Sequence, residues 1–210
     1  EGFNYAAINN FAVKEAKGSY LLFLNNDVEV ISPGWIEEML MICQQQDVAI
    51  VGAKLYYPDN LIQHAGVVLG MGGIAGHIVC VASCEDKGYF GRAVNVQEIS
   101  AVTAACMLMK AEDFQAVGGF DEEFVVAFND IDLCMKARAA GKKVVFTPYA
   151  ELYHYESKSR GMEDTPEKQF RFEKETKRFE EKWGDEMAKG DPYYNPNLSL
   201  KEADCSLRED

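Results

Sequence analysis

The sequence predicts an α/β fold, a mixed and mostly parallel sheet flanked by helices, and two observations carry the prediction. The first is the run Tyr20 to Leu24, five apolar residues opened by Gly18-Ser19 and closed by Asn25-Asn26-Asp27. So short and continuous a run suits a strand covered on both faces. The second is the alternation around it. Helix, strand, helix and strand follow one another within the first 55 residues, which is one and a half units of an α/β sandwich. At 210 residues the chain is long enough to bury a substantial core as one domain.

Asn4 to Lys17 carries good helix formers in its second half and stops at Gly18. After the first strand, Ser32-Pro33 has the form of an N-cap followed by proline at the first helical position. The apolar positions Ile36, Met39, Leu40 and Cys43 then recur at helical spacing, and Val48 to Ala53 gives the next buried strand. Residues 56–100 are dense in glycine, with Ala65 to Leu69 as their one obvious strand. They lack Gly-Lys-Ser/Thr and a strand–GxGxxG–helix setting, so they predict a flexible, partly exposed segment over the sheet edge rather than a phosphate loop.

Ala104 to Lys110 returns to a buried strand, and Glu112 to Val117 is a short helix stopped by Gly118-Gly119. Another helix runs to Ala140, with Asn129 as its expected N-cap. Lys143 to Thr147 reads as a strand broken by Pro148, and Leu152 to Tyr155 as a further short piece. Thr165-Pro166 opens a long charged helix to about Trp183, with Phe172, Phe179 and Trp183 on one stripe. The chain thus divides into a domain over 1–190 and a tail over 191–210, an irregular strap or a disordered end.

Composition narrows the function. A net charge of −13 argues against an extended nucleic-acid footprint, which needs clustered Lys and Arg. It fits a site that recruits positive charge as a metal ion, although acidic surfaces also simply serve solubility. No run approaches the roughly 18 apolar residues of a membrane span, and EGFNYAAINN has no export-signal pattern. The six cysteines are scattered without a Cys-x-x-Cys, as free thiols of a reducing cytosol would be.

Asn25-Asn26-Asp27 lies at the carboxyl end of a buried strand, where open α/β sheets place their ligands. Asp27 could hold a divalent cation through hard oxygen contacts, and the same tripeptide is also ordinary turn material. Asp130 and Asp132 stand in the first turn of a helix, where the dipole stabilises acids without any function. Either could serve as a base toward a hydroxyl. Of the three histidines, His64, His77 and His154, the last sits among polar groups after a strand. It is followed by Glu156, Ser157, Lys158, Ser159 and Arg160, whose cations could pair with phosphate or simply face solvent.

Five ordered stretches carry a resemblance: NNFAVKEAKGSYLLFLNNDVEV, IQHAGVVLG, AACMLMKAEDFQAVGGFDEEF, FNDIDLCMKARAAGKKVVFTPYAELYHYESKSRG and DPYYNPNLSL. They resemble the family-2 glycosyltransferases of the GT-A fold, most of all the bacterial group that builds O-antigen, rhamnan and other cell-surface polysaccharides. The resemblance implies that Asn25-Asn26-Asp27 replaces the Asp-x-Asp motif. Asn25, Asn26, Asp27 and His154 then contact the sugar nucleotide and its metal, with Asp27 and His154 as ligands of Mg²⁺ or Mn²⁺. Asn129-Asp130 stands where the family usually has Glu-Asp, so Asp130 matches the catalytic base. Ala104 falls where Gly is usual.

The implied reaction is inverting transfer from a nucleotide-diphospho sugar to a saccharide or lipid-linked saccharide acceptor. It is cytoplasmic, beside the inner face of the membrane. The family's nucleotide-holding units precede the Asp-x-Asp strand, whereas this chain begins inside the helix before it. The expectation is therefore a fragment without its nucleotide pocket, with a sheet edge open to self-association. The alternative is a domain that has lost catalysis and serves as a glycan-binding or scaffold module, for which the neutral Asn25 and Asn129 speak.

Overall fold

The computed structural model describes residues 3–155 and 165–209, so Glu156 to Arg160 lie outside the described residues. In chain order the elements are α1 (Tyr5–Glu15), β1 (Tyr20–Leu24), β2 (Val28–Val30), α2 (Trp35–Cys43) and β3 (Val48–Tyr56). Then come β4 (Ile62–His64), β5 (Val67–Leu69), β6 (Ala75–His77), β7 (Gln97–Glu98) and β8 (Cys106–Lys110). The chain closes with α3 (Ala111–Ala116), α4 (Asn129–Ala139), β9 (Lys143–His154) and α5 (Pro166–Ala188).

The main sheet runs β1-β8-β3-β9-β2, with β4 added on β3 and β7 on β9. The expected α/β sandwich is present, but the sheet is less parallel than the sequence suggested. Among the described strands only β3 and β9 pair in parallel. β8 lies between β1 and β3 and runs against both. Thus β1, β3 and β9 do share a direction, as covered crossovers require, and β8 is intercalated among them.

Alternate residues of each strand feed two apolar layers. Met107 and Met109 join Phe23, Phe114, Phe120, Leu133 and Phe146 on one face. Cys106 and Leu108 join Met39, Ile42, Cys43 and Val51 under α2 on the other. All six cysteines are free. Burial pushes the Cys43 thiol up to about 11 and that of Cys106 to about 12, so these thiols act as small apolar groups.

Several local expectations are corrected. Ser32 does not cap α2: Gly34, at φ 75°, precedes its first residue. Ser32 Oγ instead donates to Tyr149 O and accepts from Glu151 N. These bonds hold a bulge in β9 where β3 advances from Gly52 to Lys54 while β9 advances from Phe146 to Glu151. Pro148 sits in that bulge, where no ladder bond is asked of it, so β9 continues through the proline instead of breaking.

Asn129 is the first residue of α4, and the preceding Phe128, at φ 63°, takes the cap position. Residues 56–100 are in part the exposed cover expected, since 81–98 are largely exposed or half-buried, but the stretch over 62–69 belongs to the core. Ile62 to Leu69 is buried throughout, with Ile62, His64 and Ala65 fully enclosed. Gly66, at φ 104°, approaches Ile99 so closely that a Cβ would lie 1.9 Å from its Cδ1. The tail is an irregular strap rather than a loose end. Asp191 Oδ2 accepts from Leu69 N at 2.7 Å, and Tyr194, Leu198 and Cys205 are buried.

Candidate active site

The site forms where β1 ends, and the ladder between β2 and β9 sets its first pair. Val28 pairs with His154, and Tyr155 N donates to Asp27 O at 2.8 Å, so the backbone of residue 27 is fixed beside His154. The side chains then meet, with His154 Nε2 3.2 Å from Asp27 Oδ1 and 3.0 Å from Asn25 Nδ2. His154 is 9% exposed and Asp27 21%. Asn26 stays in the turn between β1 and β2.

Gln63, which sequence reasoning passed over, determines which nitrogen of His154 carries the proton. Its Nε2 donates to the His154 carbonyl at 3.3 Å, which fixes the orientation of the amide. Its Oε1 then faces Nδ1 at 2.7 Å and requires a proton there. In the neutral ring Nε2 therefore presents its lone pair toward Asn25 and the Asp27 carboxylate. A carboxylate oxygen and an imidazole lone pair turned to the same point, with the far nitrogen tied to a supporting side chain, is the donor chemistry of a divalent-cation site. These residues fit such an ion as a two-ligand site, and among the described residues no group of three or more His, Cys, Asp or Glu gathers to hold one.

Asp130 joins the site through two backbone residues. Its Oδ2 accepts from Ala104 N at 3.1 Å and its Oδ1 from Ile131 N at 2.9 Å. The next residue, Ala105, gives its carbonyl to Asn25 N at 3.0 Å. The connection from Asp130 to Asn25 is thus one dipeptide long, and Asp27 and His154 lie at its other end. Ala104 O also accepts from the Tyr5 hydroxyl at 3.0 Å, so α1 braces the same dipeptide.

Other candidates are placed elsewhere. Asp132 is fully buried, accepts from Trp183 Nε1 at 2.8 Å and pairs with Lys182 at 2.7 Å; it anchors α5 and does not face the site. Asn129 is buried and donates to Val126 O at 2.7 Å, a bond that a glutamate could not make. His64 and His77 pair through Nδ1 at 3.2 Å, and Gln63 O lies 3.0 Å from the same His77 nitrogen. Burial first, then His77 and His154, hold the His64 pKa well below 6.5, so it stays neutral. A sequence signal for Gln63 did exist: a polar Gln-His pair inside the otherwise apolar stretch from Ile62 to Leu69.

Comparison with known proteins decides the family. The family described as "Glycosyltransferase like family 2" matches residues 4–174. The chain belongs to this family. It is 54% identical over 206 residues to "Uncharacterized protein y4gI" of Sinorhizobium fredii, covering 98% of this chain and 23% of that protein. It is 42% identical over 214 residues to "O-antigen biosynthesis protein RfbC" of Myxococcus xanthus, covering 98% of this chain and 16% of that one. The chain therefore spans less than a quarter of the curated relatives it matches.

Among solved structures, GalNAc-T7 with UDP, GalNAc and Mn²⁺ superposes with a TM-score of 0.64 at 14% identity, over 88% of this chain and 36% of that one. The fold of this family-2 chain is accordingly the GT-A sandwich. Among the described residues no helix is long and apolar enough to cross a membrane.

Proposed function

We propose that this family-2 chain is the catalytic portion of an inverting glycosyltransferase. It would move a sugar from a nucleotide-diphospho sugar to a hydroxyl of a saccharide or lipid-linked saccharide acceptor, in the assembly of a bacterial cell-surface polysaccharide. The observation that carries this reading is the convergence of Asp27, His154 and Asp130 through Asn25 and the Ala104-Ala105 dipeptide. The relative named for O-antigen biosynthesis and the structural neighbour holding UDP, GalNAc and Mn²⁺ support it.

Asp27 and His154 would hold Mg²⁺ or Mn²⁺, with Asn25 and Asn26 beside the donor. When bound, the cation supplies Lewis-acid stabilisation for the departing diphosphate. Each oxygen of Asp130 accepts one backbone N–H and keeps lone pairs for the acceptor hydroxyl. As that hydroxyl oxygen bonds to the anomeric carbon, its proton passes to Asp130. The bond from the anomeric carbon to the diphosphate oxygen breaks, and the nucleoside diphosphate leaves with inversion. The reaction would take place on the cytoplasmic side of the cell membrane. The loss-of-catalysis alternative weakens here, because the neutral residue at 129 has a structural bond of its own.

The test is sugar-nucleotide transfer and hydrolysis by the intact protein over a panel of UDP-, GDP- and dTDP-sugars with Mn²⁺. Asp130→Asn should lower turnover by roughly 10²- to 10⁴-fold, as loss of a general base does, and Asp27→Ala should abolish the Mn²⁺ requirement together with activity. An intact protein that is inert over the panel, yet binds glycans equally in both variants, would replace the enzyme with a binding module.

A further inference from the structure

Glu175 lies on α5, one residue beyond the segment that the family match covers. Its side chain is 3% exposed, an unusual place for a carboxylate on a helix whose sequence is mostly charged. Helix α5 does not need the charge: Glu175 stands far from the helix ends, where the dipole would favour or oppose it. Among the described residues the cation that pairs with it is Arg171, with Nε at 3.9 Å. What the carboxylate does contact is backbone. Oε1 accepts from Val126 N at 3.0 Å, and Oε2 accepts from Ala127 N at 3.0 Å. One carboxylate thus satisfies two consecutive amides of the segment that leads into α4.

That segment is held in a conformation its residues do not favour. Phe128 follows at φ 63° and ψ 0°, the left-handed region, which a bulky side chain adopts only when its surroundings impose it. Three residues of α5 impose it from one face. Phe172 and Phe179 place their rings 5.5 and 5.4 Å from that of Phe128, and Glu175 lies between them in sequence, at helical spacing on the same stripe. From the other side Asn129 Nδ2 donates to Val126 O at 2.7 Å, so residue 126 is bonded at both its N–H and its carbonyl. Asp130 comes two residues after Phe128, and the direction of its carboxylate follows from this turn.

We infer that Glu175 is a positioning residue, a buried carboxylate on α5 that locks the left-handed turn at Phe128 and thereby aims Asp130 at the acceptor hydroxyl. It acts through Asp130 without touching substrate. The inference rests on the reading of Asp130 as the base, and that dependence can be tested separately. Glutamine at 175 keeps the shape and offers one acceptor, but turns its NH₂ toward the second amide, donor against donor. Aspartate keeps the charge and is one methylene too short to serve both amides.

Two readouts test it in the intact protein. The first is amide hydrogen exchange, which needs no activity. In Glu175→Gln and Glu175→Asp, exchange at Val126, Ala127 and Asn129 to Ile131 should rise by about tenfold or more, while Leu133 to Ala139 keep their protection. A rise spread evenly over α4, or no rise at all, overturns the inference. The second is kinetics with whichever donor of the UDP-, GDP- and dTDP-sugar panel the wild type turns over. Both variants should lose kcat by roughly ten- to a hundredfold, the cost of a misplaced catalytic group, with donor KM within about twofold of wild type.

Arg178→Ala serves as the control. It removes one of the two α5 cations held by Asp121, Arg178 at 3.1 Å, keeps Lys182 at 3.1 Å, and leaves residues 126–127 bonded. It should keep kcat at a similar loss of melting temperature. A kcat loss in Arg178→Ala equal to that of Glu175→Gln would make Glu175 merely structural and overturn the inference. Full activity in Asp130→Asn would fail the base assignment instead, and would show as such whatever the Glu175 variants do.

Discussion

Replacing Gln63 by leucine tests the reasoning about His154 most directly. The residue is 4% exposed and binds His154 twice, at 2.7 Å through Nδ1 and at 3.3 Å through the backbone carbonyl. Leucine fills nearly the same volume, so no cavity term enters, and the cost is that of two buried polar groups losing a partner. At about 1–3 kcal/mol for each such group, the loss of stability is about 2–6 kcal/mol. For a chain of this size that lowers the melting temperature by about 4–24 °C.

The sharper consequence concerns the ring proton. With Gln63 Oε1 present the proton belongs on Nδ1; without it, a proton on Nε2 directed at Asp27 Oδ1, 3.2 Å away, becomes the better choice. Nitrogen NMR of histidine-labelled protein near pH 8 distinguishes the two tautomers. The wild type should show Nε2 bare, and Gln63→Leu should show it protonated. Mn²⁺ affinity should fall by roughly 10- to 100-fold, as for loss of a residue that orients a metal-binding histidine. A wild-type ring already protonated on Nε2, or a tautomer unchanged by the substitution, would refute the argument.

Two further outcomes follow from buried polar groups. Asp132→Asn removes the charge that pairs with Lys182 while leaving one side-chain oxygen for Trp183 Nε1; it should cost about 3–5 kcal/mol in urea unfolding, while kcat of the folded protein stays near wild type. His64 gives a pH dependence: its folded pKa is depressed, so below pH 6.5 the unfolded chain binds a proton that the folded chain refuses. Stability should therefore fall as pH drops from about 6.5, by up to about 1.4 kcal/mol per pH unit for this group, and His64→Leu should flatten that slope. An equally steep slope in the variant would assign the loss to other groups.

The elements that were legible in the sequence are those whose signal is local. Tyr20 to Leu24 and Val48 onward read as strands covered on both faces; β3 is buried at every residue, whereas β1 ends the sheet path and leaves Leu24 exposed. Thr165-Pro166 both caps and opens α5, with Thr165 accepting from Lys168 N. Ser32-Pro33 carried the same kind of signal and failed, because Ser32 found tertiary partners in the β9 bulge and left the cap to Gly34. Pro148 suggested a break for the same reason, since nothing near it in sequence tells of the bulge that accommodates it.

In the site, Asp27, Asp130 and His154 stood out as polar groups at the ends of apolar runs. Glu175 did not, because a buried carboxylate on a charged helix is recognisable only by the long-range bonds it makes, and Gln63 showed only as a polar residue in an apolar stretch, with nothing to name its partner. Residues 56–100 looked loose because their glycines are numerous. At Gly66 the glycine marks instead how closely the backbone approaches Ile99.

The ladder between β2 and β9 has one more consequence. Asp27 and His154 are 127 positions apart in the chain, yet they stand beside a single rung of that ladder. Sheet geometry, with strands about 4.8 Å apart, is their ruler. The configurational entropy of bringing two such distant groups together is spent once, when the sheet folds, and is not charged again to each arriving ion or substrate. Whatever movement accompanies turnover must then carry both groups as a rigid body or pass around them, through segments outside this rung.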